Sequence, residues 1–249
     1  MLNQFRLFAR RYLSRETRRR IARLAVWPPV GWVRFGDLRH LKPVSSDYGN
    51  SRGLEIDRYY IEKFLAEFSG DIRGRVLEIK HNAYTRRYGG DRVTHSDVLH
   101  PVEGNPDATI VADLTKADHL PSDMFDAIIL TQTLQVIYDI RTTLATLYRI
   151  LKPGGVLLAT ASGMAQLSLE DFDKWGEYWR FTSLSAGRLF EEAFSKGQVT
   201  VRAYGNVLAA ISFLEGLAVE DLKQKELDAV DRSYEVLIAV RAVKPEDAK

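Results

Sequence analysis

The chain has 249 residues, of which 45% are hydrophobic and 27% charged, so it is globular and large enough for one α/β domain with additions or for two small ones. It holds no cysteine, which excludes a disulfide framework, a thiolate nucleophile and Cys-ligated zinc, and no metal-ligand cluster is expected. No apolar stretch reaches the ~18 residues of a bilayer span, and no signal peptide with a small-residue cleavage site opens the chain, so a cytoplasmic protein is expected.

The formal net charge of +2 divides unevenly: eleven Lys and Arg against Glu16 and Asp37 give residues 1–45 a net +9, which leaves −7 on the remainder. Leu2, Phe5, Phe8, Tyr12 and Leu13 recur at helical spacing among the arginines, so residues 1–45 read as a basic amphipathic N-terminal arm. Such an arm suits an anionic membrane surface, a protein partner or the acidic body of its own chain, and no specific nucleic-acid signal accompanies it. The expected location is then cytoplasmic or peripheral to the membrane. Trp27-Pro28-Pro29 ends the arm's helix, and residues 46–249 form the second unit.

That unit begins with a loop through Tyr48, Gly49 and Gly53 and a helix over Ile56–Phe68. From Arg75 the apolar period shortens. Val76–Ile79 reads as a first strand, Arg92–Asp97 as a second and Ala108–Ala112 as a third, with connections too short for full helices. Phe125–Thr131, an apolar run with β-branched residues, suits a fourth strand covered on both faces. Asp139–Leu151 spaces Ile140, Leu144, Leu147 and Leu151 along one helical face. Pro153 cannot continue that helix, and Gly154-Gly155 can take the positive φ that turns the chain into a fifth strand, Val156–Thr160. A helix around Ser185–Phe194 and strands at Val199–Tyr204 and Tyr234–Val243 complete the pattern. Alternating strands and helices imply a parallel sheet with right-handed crossovers.

In such a sheet the ligand crevice lies outside the carboxyl ends of the strands. Glu78 in the first strand's last turn, Asp97 after the second and Asp113 after the third all fall at such ends. Each alone also suits a turn or a helix cap, but three in register can accept hydrogen bonds from ribose hydroxyls or an adenine amino group.

At these residues the chain resembles the class I S-adenosylmethionine-dependent methyltransferases, over about residues 55–243. The resemblance is carried by Ala112-Asp113-Leu114, by Leu120-Pro121-Ser122-Asp123-Met124-Phe125-Asp126 and by Leu147–Thr160. It implies a Rossmann-like α/β fold, a mostly parallel seven-stranded sheet with helices on both faces, and S-adenosyl-L-methionine as cofactor. It assigns Glu78 to the methionine part of the cofactor, Asp97 to the ribose and Asp113 to the adenine, with Val98 and Leu114 packing on the adenine, Ile79 and Lys80 in the first loop and Thr131 lining the site. The family's first loop usually runs acidic-x-Gly-x-Gly-x-Gly, whereas Glu78-Ile79-Lys80-His81-Asn82-Ala83-Tyr84 has none of those glycines, so Lys80 either crowds the site or sets a cation beside the sulfonium.

The implied activity is transfer of a methyl group to a hydroxyl of a small molecule or glycan. A base within hydrogen-bond reach would assist such an acceptor. His81, His95 and His100 are candidates, each equally a structural or solvent-facing residue, and where many relatives carry a histidine after the fourth strand this chain has Val136, so no base is assigned. Trp175, Tyr178, Trp179 and Phe181 follow the fifth strand, where they either stack on an acceptor or pack in the core. The missing glycines also leave open a non-catalytic descendant of the fold that binds through its basic arm. A nicotinamide-dependent oxidoreductase fits less well, because its own Gly-rich fingerprint is equally absent.

Overall fold

The computed structural model describes residues 32–246 and, ahead of them, Ser14, Thr17 and Pro28. The chain divides into two compact units, residues 1–42 and 43–249. Leu2, Phe5, Phe8, Tyr12 and Leu13 of the expected arm lie outside the described residues. Within the first unit the described residues form a short 3-10 turn, Gly36–Leu38.

The second unit places α1 (Ile56–Glu67) ahead of β1 (Gly74–Ile79), β2 (Val93–His100), β3 (Ile110–Val111) and β4 (Phe125–Thr131). Then come α2 (Ile140–Ile150), β5 (Leu151–Ser162), α3 (Leu169–Lys174), α4 (Ser183–Phe194), β6 (Val199–Tyr204), α5 (Val207–Leu214), α6 (Gln224–Asp228) and β7 (Leu237–Val243). The strands form one seven-stranded sheet in the order β3-β2-β1-β4-β5-β7-β6, parallel except for β7, which runs against both its neighbours. This is the expected Rossmann-like architecture.

Alternate residues of each strand feed opposite layers. Leu77, Ile128, Leu130 and Leu157 pack with Leu144 and Leu147 of α2 and Phe190 and Phe194 of α4. Val76, Ala127, Ile129 and Leu158 pack on the other face with Tyr60, Ile61 and Phe64 of α1 and Phe213 of α5. Burying each large side chain contributes roughly 1.5–3 kcal/mol, and the two layers together hold the sheet between them. A register shift between Phe125 and Ala127 puts Phe125 on the same side as Ile128.

Local chemistry sets the strand ends. Asp139 caps α2 by accepting from Thr142 N at 3.1 Å. Pro153-Gly154-Gly155 bulges within β5, with Gly154 at φ +77, and is tied by Gly154 N to Lys244 O at 2.8 Å and Lys244 N to Gly155 O at 2.9 Å. β2 runs three residues further than expected, because apolar Val98 and Leu99 continue the ladder opposite Glu78 and Ile79 until Pro101, which has no N–H to give. β3 is shorter than expected, two residues paired with Leu99 and His100. Between β1 and β2 the chain turns through Thr85–Gly89 and Gly90–Arg92 without an α-helix. Among the described residues no helix is long and apolar enough to cross a membrane.

Candidate active site

The carboxyl ends of the parallel strands open on a cleft of about 700 Å³. Each strand supplies part of its wall. Ile79, Lys80 and His81 follow β1, Leu99 and His100 close β2, Ala112, Asp113 and Leu114 follow β3, Thr131 and Gln132 follow β4, and Ser162 ends β5. Asp57 and Arg58 reach in from the first turn of α1.

Of the residues expected at the site, Ile79, Lys80, Asp113, Leu114 and Thr131 line this cleft, whereas Glu78, Asp97 and Val98 are not among its lining residues. Glu78 is buried and holds the following turn together: its carboxylate accepts from Thr85 N at 2.8 Å, Thr85 Oγ1 at 2.7 Å and Tyr84 N at 3.3 Å. Asp97 sits inside β2 opposite Leu77 rather than after the strand. It accepts from Arg75 Nε at 2.7 Å and from Thr109 Oγ1 at 3.1 Å. Burial pushes its carboxyl up, but the hydrogen bond and charge of Arg75, together with the Thr109 hydrogen bond and nearby His95, outweigh burial and hold it below the usual aspartate value. Val98 is buried beside it in the strand. Within the chain, Glu78 thus braces the turn after β1 and Asp97 ties β2 to Arg75 and Thr109, and His100 is the residue that stands at the end of β2.

The glycine-free first loop keeps the cleft open. Lys80 itself adopts φ +73, the left-handed conformation that a glycine would take without strain, and its amide donates to Leu99 O at 2.9 Å. Tyr84 turns into the core and accepts from Arg58 Nη1 at 3.3 Å. Lys80 is exposed on the cleft wall.

Among the candidate imidazoles, His81 and His100 line the cleft, whereas His95 is exposed with Nε2 3.4 Å from Asp97 Oδ1. His81 Nδ1 lies 3.4 Å from Glu78 Oε1. His100 Nδ1 is 2.6 Å from Val102 O, and since a carbonyl only accepts, the neutral ring carries its proton on Nδ1 and its lone pair on Nε2. Trp175 packs edge-on against His100 at 6.1 Å, beneath the Lys174 ammonium. Tyr138 meets Tyr178 at 5.3 Å and Trp179 at 5.9 Å, all three exposed at the cleft mouth, while Phe181 is buried in the core. Two of the four expected aromatics, Trp175 and Tyr178, therefore line the cleft, and Trp179 stacks on Tyr138 beside it.

Residues 63–159 match the family model described as a methyltransferase domain. The chain is thus similar to a methyltransferase domain over that stretch. Its fold is similar to that of an S-adenosylmethionine-dependent methyltransferase from Mesorhizobium loti, with a TM-score of 0.51 and 18% identity over 76% of this chain and 98% of that one. It is also similar to a SAM-dependent methyltransferase from Archaeoglobus fulgidus, with a TM-score of 0.50 and 12% identity over 75% of this chain and 94% of that one. No curated protein sequence matches the chain.

Sequence reasoning missed Asp57, Arg58, Gln132 and Gln135. Gln132 and Gln135 stand just where the apolar run of β4 stops, which was the available signal; Asp57 is brought to Gln132 across 75 residues and has no local one.

Proposed function

We propose that the protein is an S-adenosylmethionine-dependent methyltransferase acting on a hydroxyl of a small molecule or glycan. The supporting observation is the open cleft at the strand ends, whose volume of about 700 Å³ lies within the range of small-molecule sites. Its donor set fits the cofactor. Asp113, with both of its hydrogen bonds from Thr115 made to Oδ1, and apolar Ala112 and Leu114 suit an adenine; His100 suits the ribose hydroxyls; Arg58 and Lys80 suit a carboxylate. When bound, S-adenosylmethionine supplies a methyl group already activated by its sulfonium. The protein's own work is then to orient the acceptor and exclude water, which its aromatic mouth is built to do.

A second reading, transfer to an amine, draws on charge: the wall carries seven carboxylates against three Lys or Arg, a balance that favours a cationic ligand. The non-catalytic alternative loses its motive, because the loop without glycines leaves the crevice open.

Calorimetry with S-adenosylmethionine and S-adenosylhomocysteine tests the proposal. Both should bind, and Asp113→Ala should weaken each about tenfold, the worth of one good hydrogen bond. Failure of both ligands to bind would remove the enzymatic reading.

A further inference from the structure

Four side chains form a run of hydrogen bonds beside the cleft, and its direction is fixed from one end. A carboxylate only accepts, so Gln132 must turn its amide nitrogen to Asp57 Oδ2, which it meets at 2.8 Å. Gln132 Oε1 then points the other way and accepts from Ser162 Oγ at 3.1 Å and from Gln135 Nε2 at 3.0 Å. The opposite orientation of Gln135 would set two carbonyl oxygens against each other. Gln135 Oε1 is therefore the free end of the run. It is buried without a hydrogen-bond partner among the described residues, on a side chain that is 7% exposed and belongs to the cleft wall. A buried carbonyl oxygen without a donor is costly, and such an atom in a cleft points to a ligand that supplies one.

The backbone joins this atom to the aromatic mouth. Tyr178 N and Trp179 N donate to Gln135 O at 2.8 and 3.3 Å, so the residue with the unmet acceptor also fixes the segment that holds Tyr178 against Tyr138.

Resting on the methyltransferase reading, we propose that Gln135 is a specificity-determining residue of the acceptor pocket: its Oε1 receives a hydrogen bond from an O–H or N–H group carried on a flat ring that packs against Tyr178. The contact selects the acceptor and takes no proton, since an amide is not a base at neutral pH.

The test uses the full chain saturated with S-adenosylhomocysteine and three probes of similar shape: phenol and aniline, which carry a donor, and anisole, which does not. Saturation-transfer NMR titrations should give phenol or aniline at least fivefold tighter binding than anisole, and which of the two is preferred separates a hydroxyl from an amine acceptor. In Gln135→Met that preference should vanish, while calorimetric affinity for S-adenosylhomocysteine changes less than twofold. Equal binding of all three probes to the wild type, or no binding of phenol and aniline, overturns the proposal without any variant. So does a preference that survives in Gln135→Met, or a large loss of S-adenosylhomocysteine affinity in it, which would give the oxygen to the cofactor's ammonium. If S-adenosylhomocysteine does not bind the wild type at all, the methyltransferase reading fails, and this inference with it.

Discussion

Two halves of one sheet reach the same cleft by different means. Between β4 and β5 the path is ordinary: an apolar strand, a capped amphipathic helix and a glycine turn bring Thr131 and Ser162 to the rim. Between β1 and β2 the chain returns through residues 80–92 with short π and 3-10 turns in place of an α-helix and no glycine at its first bend, and a buried carboxylate does the holding. A backbone course that glycine permits in one protein is thus enforced by side chains in another. The enforcing residue then becomes structural even where its position suggests a ligand contact.

The sharpest way to break this comparison is to remove the holding carboxylate from each half. Glu78→Ala strands two backbone amides and a hydroxyl in a buried turn, so it should cost about 3 kcal/mol. Asp139→Ala removes an exposed helix cap and should cost clearly less. Urea unfolding of both variants reads the difference, and equal losses would mean that the first loop is not held by Glu78.

Acid sharpens the contrast further, because Asp97 belongs to the same half. A carboxyl whose value is lowered on folding adds stability above the unfolded-state value of about 3.9, and that stability is lost as pH falls through the lower folded value. Asp97→Asn should therefore cost about 2 kcal/mol at pH 7, less than for a fully buried pair because the Arg75 side chain is 35% exposed. Its stability curve should approach that of the wild type as pH falls below the unfolded value and through the lowered folded one. Parallel curves down to pH 2.5 would show that the Arg75 pair is not what tunes this group.

Those two carboxylates also mark where sequence legibility stopped. Asp113 is readable as a cleft residue because the apolar run of the third strand ends at it, whereas Leu114 and Thr131 come only with the family resemblance. Asp97 was misplaced because polar residues precede it in Val93–Asp97, which made it look like a strand end, although the ladder continues through Val98 and Leu99. Glu78 was placed correctly along its strand, but no pattern reveals which side of a short turn a carboxylate will face. Asp57 acquires meaning only from a partner distant in the chain, and Gln135 from the donor that its Oε1 lacks among the described residues. The aromatics were ambiguous because a core and a binding mouth use the same residues, and only burial separates Phe181 from Tyr178.

The smallest expected effect tests the substituted glycine itself. Holding a side chain at φ +73 costs Lys80 about 1–2 kcal/mol, and glycine there would recover this while losing roughly 0.5–1 kcal/mol to unfolded-chain entropy. Lys80→Gly should then stabilise the fold by about 0.5 kcal/mol, a small rise in urea midpoint at unchanged slope. Lys80→Ala separates the two roles of the residue, since it keeps the strained backbone and discards the ammonium. If Lys80 contributes its charge to cofactor binding, both variants should weaken S-adenosylhomocysteine by the same few-fold, although only the glycine variant gains stability. Unequal affinities would mean that backbone freedom at this bend, rather than the cation, governs what the cleft can hold.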